Sequence, residues 1–243
     1  MGPIDGLYPY EVVLLILGVL LFLVLLVVFV IQIVRGKSPA ALLPFFVVTI
    51  AMIGFPGIKE IQWQKGVLTI KTATTQLQAD PTNATLRSNL ANQVKGLADR
   101  PTSDPTALTS IARAQFALGE NDDAKTNLGK ALRISPALPE AVTLKQRIDT
   151  DDALANLTKR LAQNPQDDAA KTQLAKTVAQ TDSLKISSPV FLAHVASAKA
   201  ILGDRAGASD FAATALKIDP NTAGANELKK LAASPEGAKP AVK

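Results

Sequence analysis

The stretch LGENDDAKTNLGKALRISP, from Leu118 to Pro136, is echoed 84 residues later by LGDRAGASDFAATALKIDP, from Leu202 to Pro220. Laid on itself at this offset without gaps, the chain repeats apolar, glycine and proline positions over a long region. Further matches are Leu77 with Leu161, Pro81 with Pro165, Leu90 with Leu174, Pro105 with Pro189, Leu108 with Leu192, Ala141 with Ala225 and Leu144 with Leu228. A register kept over this length predicts an internal duplication.

Each copy reads as helices separated by proline, glycine and aspartate. In the first copy one helix ends before ADPTN, and others are predicted at about Asn83–Ala98, at Pro105–Leu118, and from END to a stop before Pro136. Gly119 ends the third of these helices. One face of the fourth carries Ala124, Leu128, Ala131 and Leu132, which are spaced by 4, 3 and 1 residues. The sequence from residue 60 onward therefore predicts an all-α array without strands.

These residues resemble the tetratricopeptide repeat (TPR), a helix–turn–helix unit of about 34 residues. With Pro105 or Pro189 as the first position, the small residues, turn glycine and terminal proline of the family fall on Ala112, Gly119, Ala124, Ala131 and Pro136, and on Ala196, Gly203, Ala208, Ala215 and Pro220. Two features depart from the family. Gln115 and Lys199 replace its usual aromatic residue, and the units recur at 84 positions. The resemblance implies a TPR-like α-solenoid, with copies at residues 60–148 and 149–232 and a flexible tail at 233–243.

Two apolar segments precede the array. After an N-terminal tail of residues 1–11, residues 12–34 hold no charged side chain, and a helix of this length spans ~34 Å, enough to cross a bilayer. We predict a transmembrane helix at 12–35, and a second at 40–58, which is also uncharged. The fold expected is thus an N-terminal transmembrane helical hairpin followed by the solenoid. The alternative for residues 40–58 is a helix in the membrane interface or one docked as soluble core.

The charges beside these segments predict the topology. Arg35 and Lys37 lie in the short connection, so the positive-inside rule places it in the cytoplasm and both ends of the hairpin outside. The expected location is the bacterial inner membrane with a periplasmic domain. Interfacial anchors are then expected at Tyr8, Tyr10, Trp63, Arg35 and Lys37. Lys59, Lys65 and Lys71 favour the opposite topology if their positive charge outweighs that of Arg35 and Lys37 in the connection.

Residues that could carry chemistry are few. The chain has no cysteine, and His194 is its single histidine, which we interpret as a surface or groove residue. The acidic pairs Asp122–Asp123 and Asp151–Asp152 are expected at helix N-termini, where they complement the helix dipole. Phosphate-loop, dinucleotide, serine-hydrolase and zinc-protease motifs are not found. We therefore expect neither an enzyme nor a cofactor or metal site, and a net charge of +5 is too dilute to indicate nucleic-acid binding.

A helical array of this kind works through its surface. We expect an adaptor or scaffold that binds other protein subunits, contacts the bilayer through residues 12–58 and helps to assemble a membrane complex; its oligomeric state is left open. The resemblance implies a groove at Thr106, Thr109, Arg113, Phe116 and Ala117, and at Val190, Ala193, Ser197, Ala200 and Ile201. This surface is mostly apolar or neutral, which favours an apolar helix or extended segment as ligand. The alternative is that Phe116 and Ile201 belong to the core.

Two other functions remain open. Two membrane helices followed by an outward TPR domain are similar to the TPR subunit of bacterial cytochrome c maturation, which implies a chaperone that binds apocytochromes. The stretch LTKRLAQNPQDDAAKTQLAKTV, residues 157–178, is part of that resemblance. An accessory transport or motor subunit would act through its membrane helices. Charged residues inside the spans would favour that function, and the two segments contain none.

Overall fold

The computed structural model describes residues 8–36, 38–182 and 184–233, and within these ranges the chain is helical, without strands. The helices are α1 (Pro9–Val34), a short 3-10 helix (Pro39–Leu42), α2 (Leu43–Ala79), α3 (Ala84–Ala98), α4 (Pro105–Leu118), α5 (Asn121–Ile134), α6 (Pro139–Gln163), α7 (Asp168–Thr181), α8 (Pro189–Ile201), α9 (Arg205–Ile218) and α10 (Ala225–Ala232). The expectation of an all-α protein is confirmed for these residues. The helix ends predicted from prolines and glycines agree with α3, α4 and α5.

The chain divides into two compact units. The first unit comprises residues up to Leu68 together with Gly96–Asp104, and the second comprises Thr69–Lys95 together with the chain from Pro105 onward. All but one residue of the predicted C-terminal tail lie outside the described residues, as does most of the predicted N-terminal tail.

In the first unit, α1 and the start of α2 form an antiparallel hairpin. The Phe46 ring meets Phe22 and Phe29 edge to face, with ring centres 5.7 and 5.8 Å apart. Nearer the start of α1, Gly18 lies so close to α2 that an added Cβ would be 3.0 Å from the Ile53 side chain. Later residues of α1 thus meet earlier residues of α2. The missing side chain of Gly18 is what permits this close approach.

Among the described residues, α1 is the one helix that is long and apolar enough to span a membrane, with 26 residues and a mean hydropathy of 3.6 in its most apolar window. The second apolar helical stretch, Ala40–Phe55, is shorter and comprises most of the 3-10 helix and the start of α2. A full second crossing at residues 40–58 therefore stays a prediction. Apolar side chains on the outside of the hairpin are exposed, including Leu17, Val24 and Val47 at 55%, 58% and 67%.

The second unit is built around α6. This helix of 25 residues packs against α4, α5, α7 and α8, and the hairpins α4–α5 and α8–α9 carry the most extensive pairings. The last helix, α10, covers α9 and α8. The main core contains buried apolar residues of five helices, among them Phe116, Leu128, Leu144, Leu154, Leu174 and Phe191. Their removal from water supplies the driving force for packing, about 1.5–3 kcal/mol for each large side chain.

The turns within the two hairpins share one geometry. Gly119 has φ +92° and Gly203 has φ +86°, a left-handed conformation that side chains disfavour. The N–H of Glu120 donates to the carbonyl of Gln115, and that of Asp204 to the carbonyl of Lys199, each at 2.9 Å. These bonds satisfy carbonyls that the ends of α4 and α8 leave free, as in a Schellman motif. The positive φ that these turns require explains why glycine occupies both positions.

The acidic pairs differ from one another in position. Asp122 and Asp123 lie in the first turn of α5, as expected. The expectation for Asp151–Asp152 was wrong, because this pair lies in the middle of α6. No glycine or proline interrupts that helix after Pro139, so nothing in the chain ends it near the predicted boundary between copies at 148 and 149.

Candidate functional site

The ten predicted groove residues do not share one degree of exposure. Thr109, Phe116, Ala117 and Ala193 are buried; Arg113, Val190, Ser197 and Ala200 are half-buried; Thr106 and Ile201 are exposed. The Phe116 ring lies 5.8 Å from the Phe191 ring within the main core, which favours the core alternative for Phe116. Ile201 is 36% exposed and does not support that alternative. Whether any of these residues binds a partner remains a prediction.

The predicted membrane anchors also differ in placement. Tyr10 is 64% exposed and stacks on Tyr8, with ring centres 5.7 Å apart. The guanidinium of Arg100 lies 5.5 Å from the centre of the Tyr8 ring. Arg35 is exposed, and Lys37 lies outside the described residues.

Trp63 is only 2% exposed, a burial that the sequence did not predict, and its role as an interfacial anchor stays a prediction. It begins a buried stripe on α2 that continues through Val67, Ile70, Thr74 and Leu77, at spacings of 4, 3, 4 and 3 residues. This spacing is that of a packed helix face. Trp63 is a core residue of the first unit, and its Nε1–H has no partner among the described residues.

Three neighbouring pockets that share lining residues lie along α6 in the second unit, and we call them together the α6 cleft. Its outer section has a volume of 440 Å³, its middle section 130 Å³ and its inner section 20 Å³. Arg147 lines all three sections. Most residues that line the outer section carry a polar group, among them Thr143, Gln146, Asp149 and Thr150, although apolar atoms supply most of its surface. The inner section is mainly apolar, with Phe116, Leu144, Leu184, Ile186 and Phe191.

Two positively charged side chains, Arg113 and Arg147, lie where the sections of the cleft meet. Arg147 makes no hydrogen bond or ion pair with the described part of the chain, and its Nε is buried without a partner. Burial lowers the pKa of Arg147, and repulsion from Arg113 lowers it further. Arg113 reaches only a long contact of 3.9 Å to Glu140, whose other oxygen accepts from Lys71 at 3.3 Å. The cleft therefore holds a guanidinium whose charge is not balanced locally.

One wall of the cleft is held in place by Arg87 on α3. Its Nη1 donates to the carbonyls of Ala117 and Leu118 at 3.3 and 3.4 Å, and its Nη2 donates to the carbonyl of Ser187 at 2.8 Å. The first two carbonyls belong to the last turn of α4, where helical partners are lacking. Burial lowers the pKa of Arg87, and Asp219 offsets part of this effect. Arg87 thus ties the loop before α8 to the end of α4.

A second polar arrangement centres on Asp151, which is 1% exposed. Asn121 Nδ2 donates to Asp151 Oδ2 at 2.7 Å, and Asp151 Oδ1 lies 2.6 Å from His194 Nδ1. The side chains link α5, α6 and α8. His194, expected at the surface or in a groove, is half-buried and paired with this carboxylate. In the described ranges no three histidine or acidic side chains are grouped as metal ligands.

Comparisons with known proteins add nothing to these observations. No protein-family model matches the chain, no curated protein is similar enough to match it, and no solved structure matches its fold. The function proposed next rests on the geometry and charges of the chain itself.

Proposed function

We propose that this protein is a membrane-anchored, TPR-like adaptor that binds other protein subunits through its second unit. The observation that carries the proposal is the recurrence of one hairpin design: α5 and α9 begin and end 84 residues apart, each after a glycine with positive φ. Arrays of such hairpins bind partners along surfaces formed by several helices. The proposal includes two further statements: that the second unit is TPR-like, and that it arose by internal duplication.

The membrane hairpin serves as the anchor in this proposal. The exposed apolar side chains of α1 and of residues 43–58 require a nonpolar surrounding, and a bilayer provides it. Arg35 then lies at the cytoplasmic surface, and the second unit faces the periplasm of a bacterial inner membrane. Anchoring keeps the binding surface beside membrane-bound partners, which raises their effective concentration.

The test is purification of the tagged full-length protein from native membranes in mild detergent, with identification of the chains that accompany it. We expect specific membrane subunits in stoichiometric amounts. The control is Ala124→Leu, because Ala124 is fully buried and a larger side chain overpacks the core of the second unit. This variant should stay in the membrane fraction and lose the partners.

The identity of the captured chains separates the functions. Partners that stay with Ala124→Leu as well as with the parent, although the variant melts lower, would place binding elsewhere than in the second unit. Haem-containing partners would favour the role in cytochrome c maturation. Capture of no chain by the parent protein would contradict the adaptor function.

A further inference from the structure

The α6 cleft combines an open outer section with polar residues in its lining, a small apolar inner section, and an unbalanced positive charge on Arg147, which lines both. We propose that it binds a protein segment through one side-chain carboxylate, which pairs with Arg147, while a small apolar side chain of the same segment enters the inner section. This inference rests on the adaptor function proposed above and names the chemistry of the partner segment.

The charge of the cleft selects an anion. Arg113, Arg147 and Lys185 line it, and the one acidic side chain in the lining, Asp149, is paired with Lys145. Arg147 is the residue most in need of a partner, because it is half-buried and its buried Nε–H lacks an acceptor. A carboxylate at this point would accept hydrogen bonds from the planar guanidinium and reduce its repulsion with Arg113.

The position of Arg147 favours the carboxylate of a side chain within a segment over the carboxylate at a chain end. Arg147 lies where the outer and inner sections meet, so a bound chain continues on both sides of its carboxylate. On the outer side it meets Thr143, Gln146 and Thr150, whose side chains can bond to its backbone. A free chain terminus would leave one of the two sections empty.

The volumes set the size of the groups. The inner section, at 20 Å³, accepts little more than a methyl group or a water-sized group, so an alanine or valine side chain suits it. The outer section, at 440 Å³, has room for a few residues of an extended chain. The expected segment therefore carries a small apolar residue, then an aspartate or glutamate, then polar residues.

The experiment uses the full-length protein in detergent and labelled peptides blocked at both ends. The probe is Ala-Val-Asp-Ser-Thr, and its matched control is Ala-Val-Asn-Ser-Thr. We expect the aspartate peptide to bind at least about tenfold more tightly, with an affinity that falls as the salt concentration rises. Arg147→Met should weaken its binding about tenfold or more. Arg133→Met, which removes an exposed charge on α5, should not.

Several results would overturn the inference. Equal binding of the two peptides would exclude the carboxylate, and unchanged binding by Arg147→Met would exclude this residue. Tighter binding of Ala-Val-Asn-Ser-Thr with a free C-terminus than of the blocked aspartate peptide would assign the cleft to chain ends. Displacement of the aspartate peptide by inorganic phosphate, beyond that by chloride at equal ionic strength, would indicate a site for free anions.

Failure of this inference can be told apart from failure of the adaptor function. Native partners that co-purify equally with the parent protein and with Arg147→Met contradict the inference and leave the adaptor function standing. If the parent protein captures no partner, the adaptor function itself fails.

Discussion

Asn127 donates its side-chain N–H to Oε1 of Gln115 at 2.9 Å across the α4–α5 hairpin, and both side chains are buried. The positions 84 residues later hold Phe211 and Lys199, and there the Lys199 Nζ lies 5.7 Å from the centre of the Phe211 ring. Both partners differ between the hairpins, and each pair is complementary. The same contact between helices is made by a buried amide pair in one hairpin and by a cation–π pair in the other.

We predict that Asn127→Leu lowers the free energy of unfolding by about 1–3 kcal/mol, because it leaves the buried Gln115 amide without a partner. The double variant Gln115→Leu with Asn127→Leu should be more stable than Asn127→Leu alone, since no unpaired polar group remains. Chemical denaturation of the full-length protein in detergent, followed by circular dichroism, measures both. A double variant whose loss of stability equals or exceeds the sum of the two single losses would contradict the pairing.

The turn glycines should respond unequally to alanine. Gly119→Ala and Gly203→Ala both place a side chain at positive φ, which costs about 1 kcal/mol. Gly119→Ala should cost more, because its Cβ would also lie 3.2 Å from Val190, whereas Gly203 has open space around it. The control is Gly129→Ala on α5, which has open space and should stabilise by about 0.5–1 kcal/mol. Equal losses at both turns would contradict the contact with Val190.

We predict that exchanging aspartate and glutamate has opposite effects on stability at Glu120, which precedes α5, and at Asp204, which precedes α9. Asp204 accepts a hydrogen bond from the Gly207 N–H and so caps α9, whereas Glu120 makes no such bond to α5. The backbone angles at the two residues are similar, so the shorter side chain should cap in both places. Glu120→Asp should stabilise by about 0.5–1 kcal/mol and Asp204→Glu should destabilise by a similar amount in the same denaturation assay. A loss of stability in Glu120→Asp would contradict the capping argument.

The same residues predict a pH dependence. Bonds from Lys199 and from the Gly207 N–H lower the pKa of Asp204, so its contribution to stability is fully present above the ordinary pKa of an aspartate and is lost as the pH falls through the lowered pKa. Burial and Asp123 raise the pKa of Glu120, so its ionisation opposes folding at neutral pH. Asp204→Ala should therefore lose less stability on acidification than the parent. Glu120→Gln should gain stability at pH 7 and no advantage at pH 3. Parallel stability profiles for variants and parent would contradict both shifts.

Arg87→Met should lower the free energy of unfolding by about 2–3 kcal/mol, because three backbone carbonyls lose a charged donor. Arg87→Lys should recover only part of this loss, since an ammonium cannot reach carbonyls on two elements with a planar fork. Hydrogen exchange by mass spectrometry should report faster exchange in residues 184–188 in Arg87→Met. Unchanged exchange there would show that Arg87 does not hold this loop.

The topology is testable without removing any native thiol, because the chain has no cysteine. Ser38→Cys lies in the connection after α1, and Ala223→Cys lies in the exposed turn before α10. We expect a membrane-impermeant maleimide to label Ala223→Cys and not Ser38→Cys in spheroplasts, with both labelled after lysis. Labelling of Ser38→Cys alone would reverse the topology.

The sequence predicted the helix ends well where glycine or proline marks them, as at Gly119 and Pro105. It did not predict the uninterrupted helix α6, where no such residue separates the predicted copies, or the burial of Trp63, whose position after an apolar segment suggested a lipid interface. The stripe from Trp63 to Leu77 was the signal that could have corrected that expectation.

The α6 cleft was beyond prediction from a single sequence. Its walls come from the end of α2, from α4, from α6 and from the loop at 184–188, and only the folded chain brings Gln78, Arg113 and Arg147 together. The unbalanced charge of Arg147 is likewise a property of its surroundings. Arg87 carried no local signal either, since its acceptors are backbone carbonyls 30 to 100 residues away.

In most solenoids each repeat touches only its neighbours, so repeats can melt one after another. Here α6 packs against both α4 and α8, and its Asp151 bonds to His194 on α8 and to Asn121 on α5. If either hairpin detached, α6 would lose part of its packing and the buried carboxylate of Asp151 would be exposed to water. The second unit should therefore unfold in one cooperative transition. A change that destabilises one hairpin should then also destabilise the other.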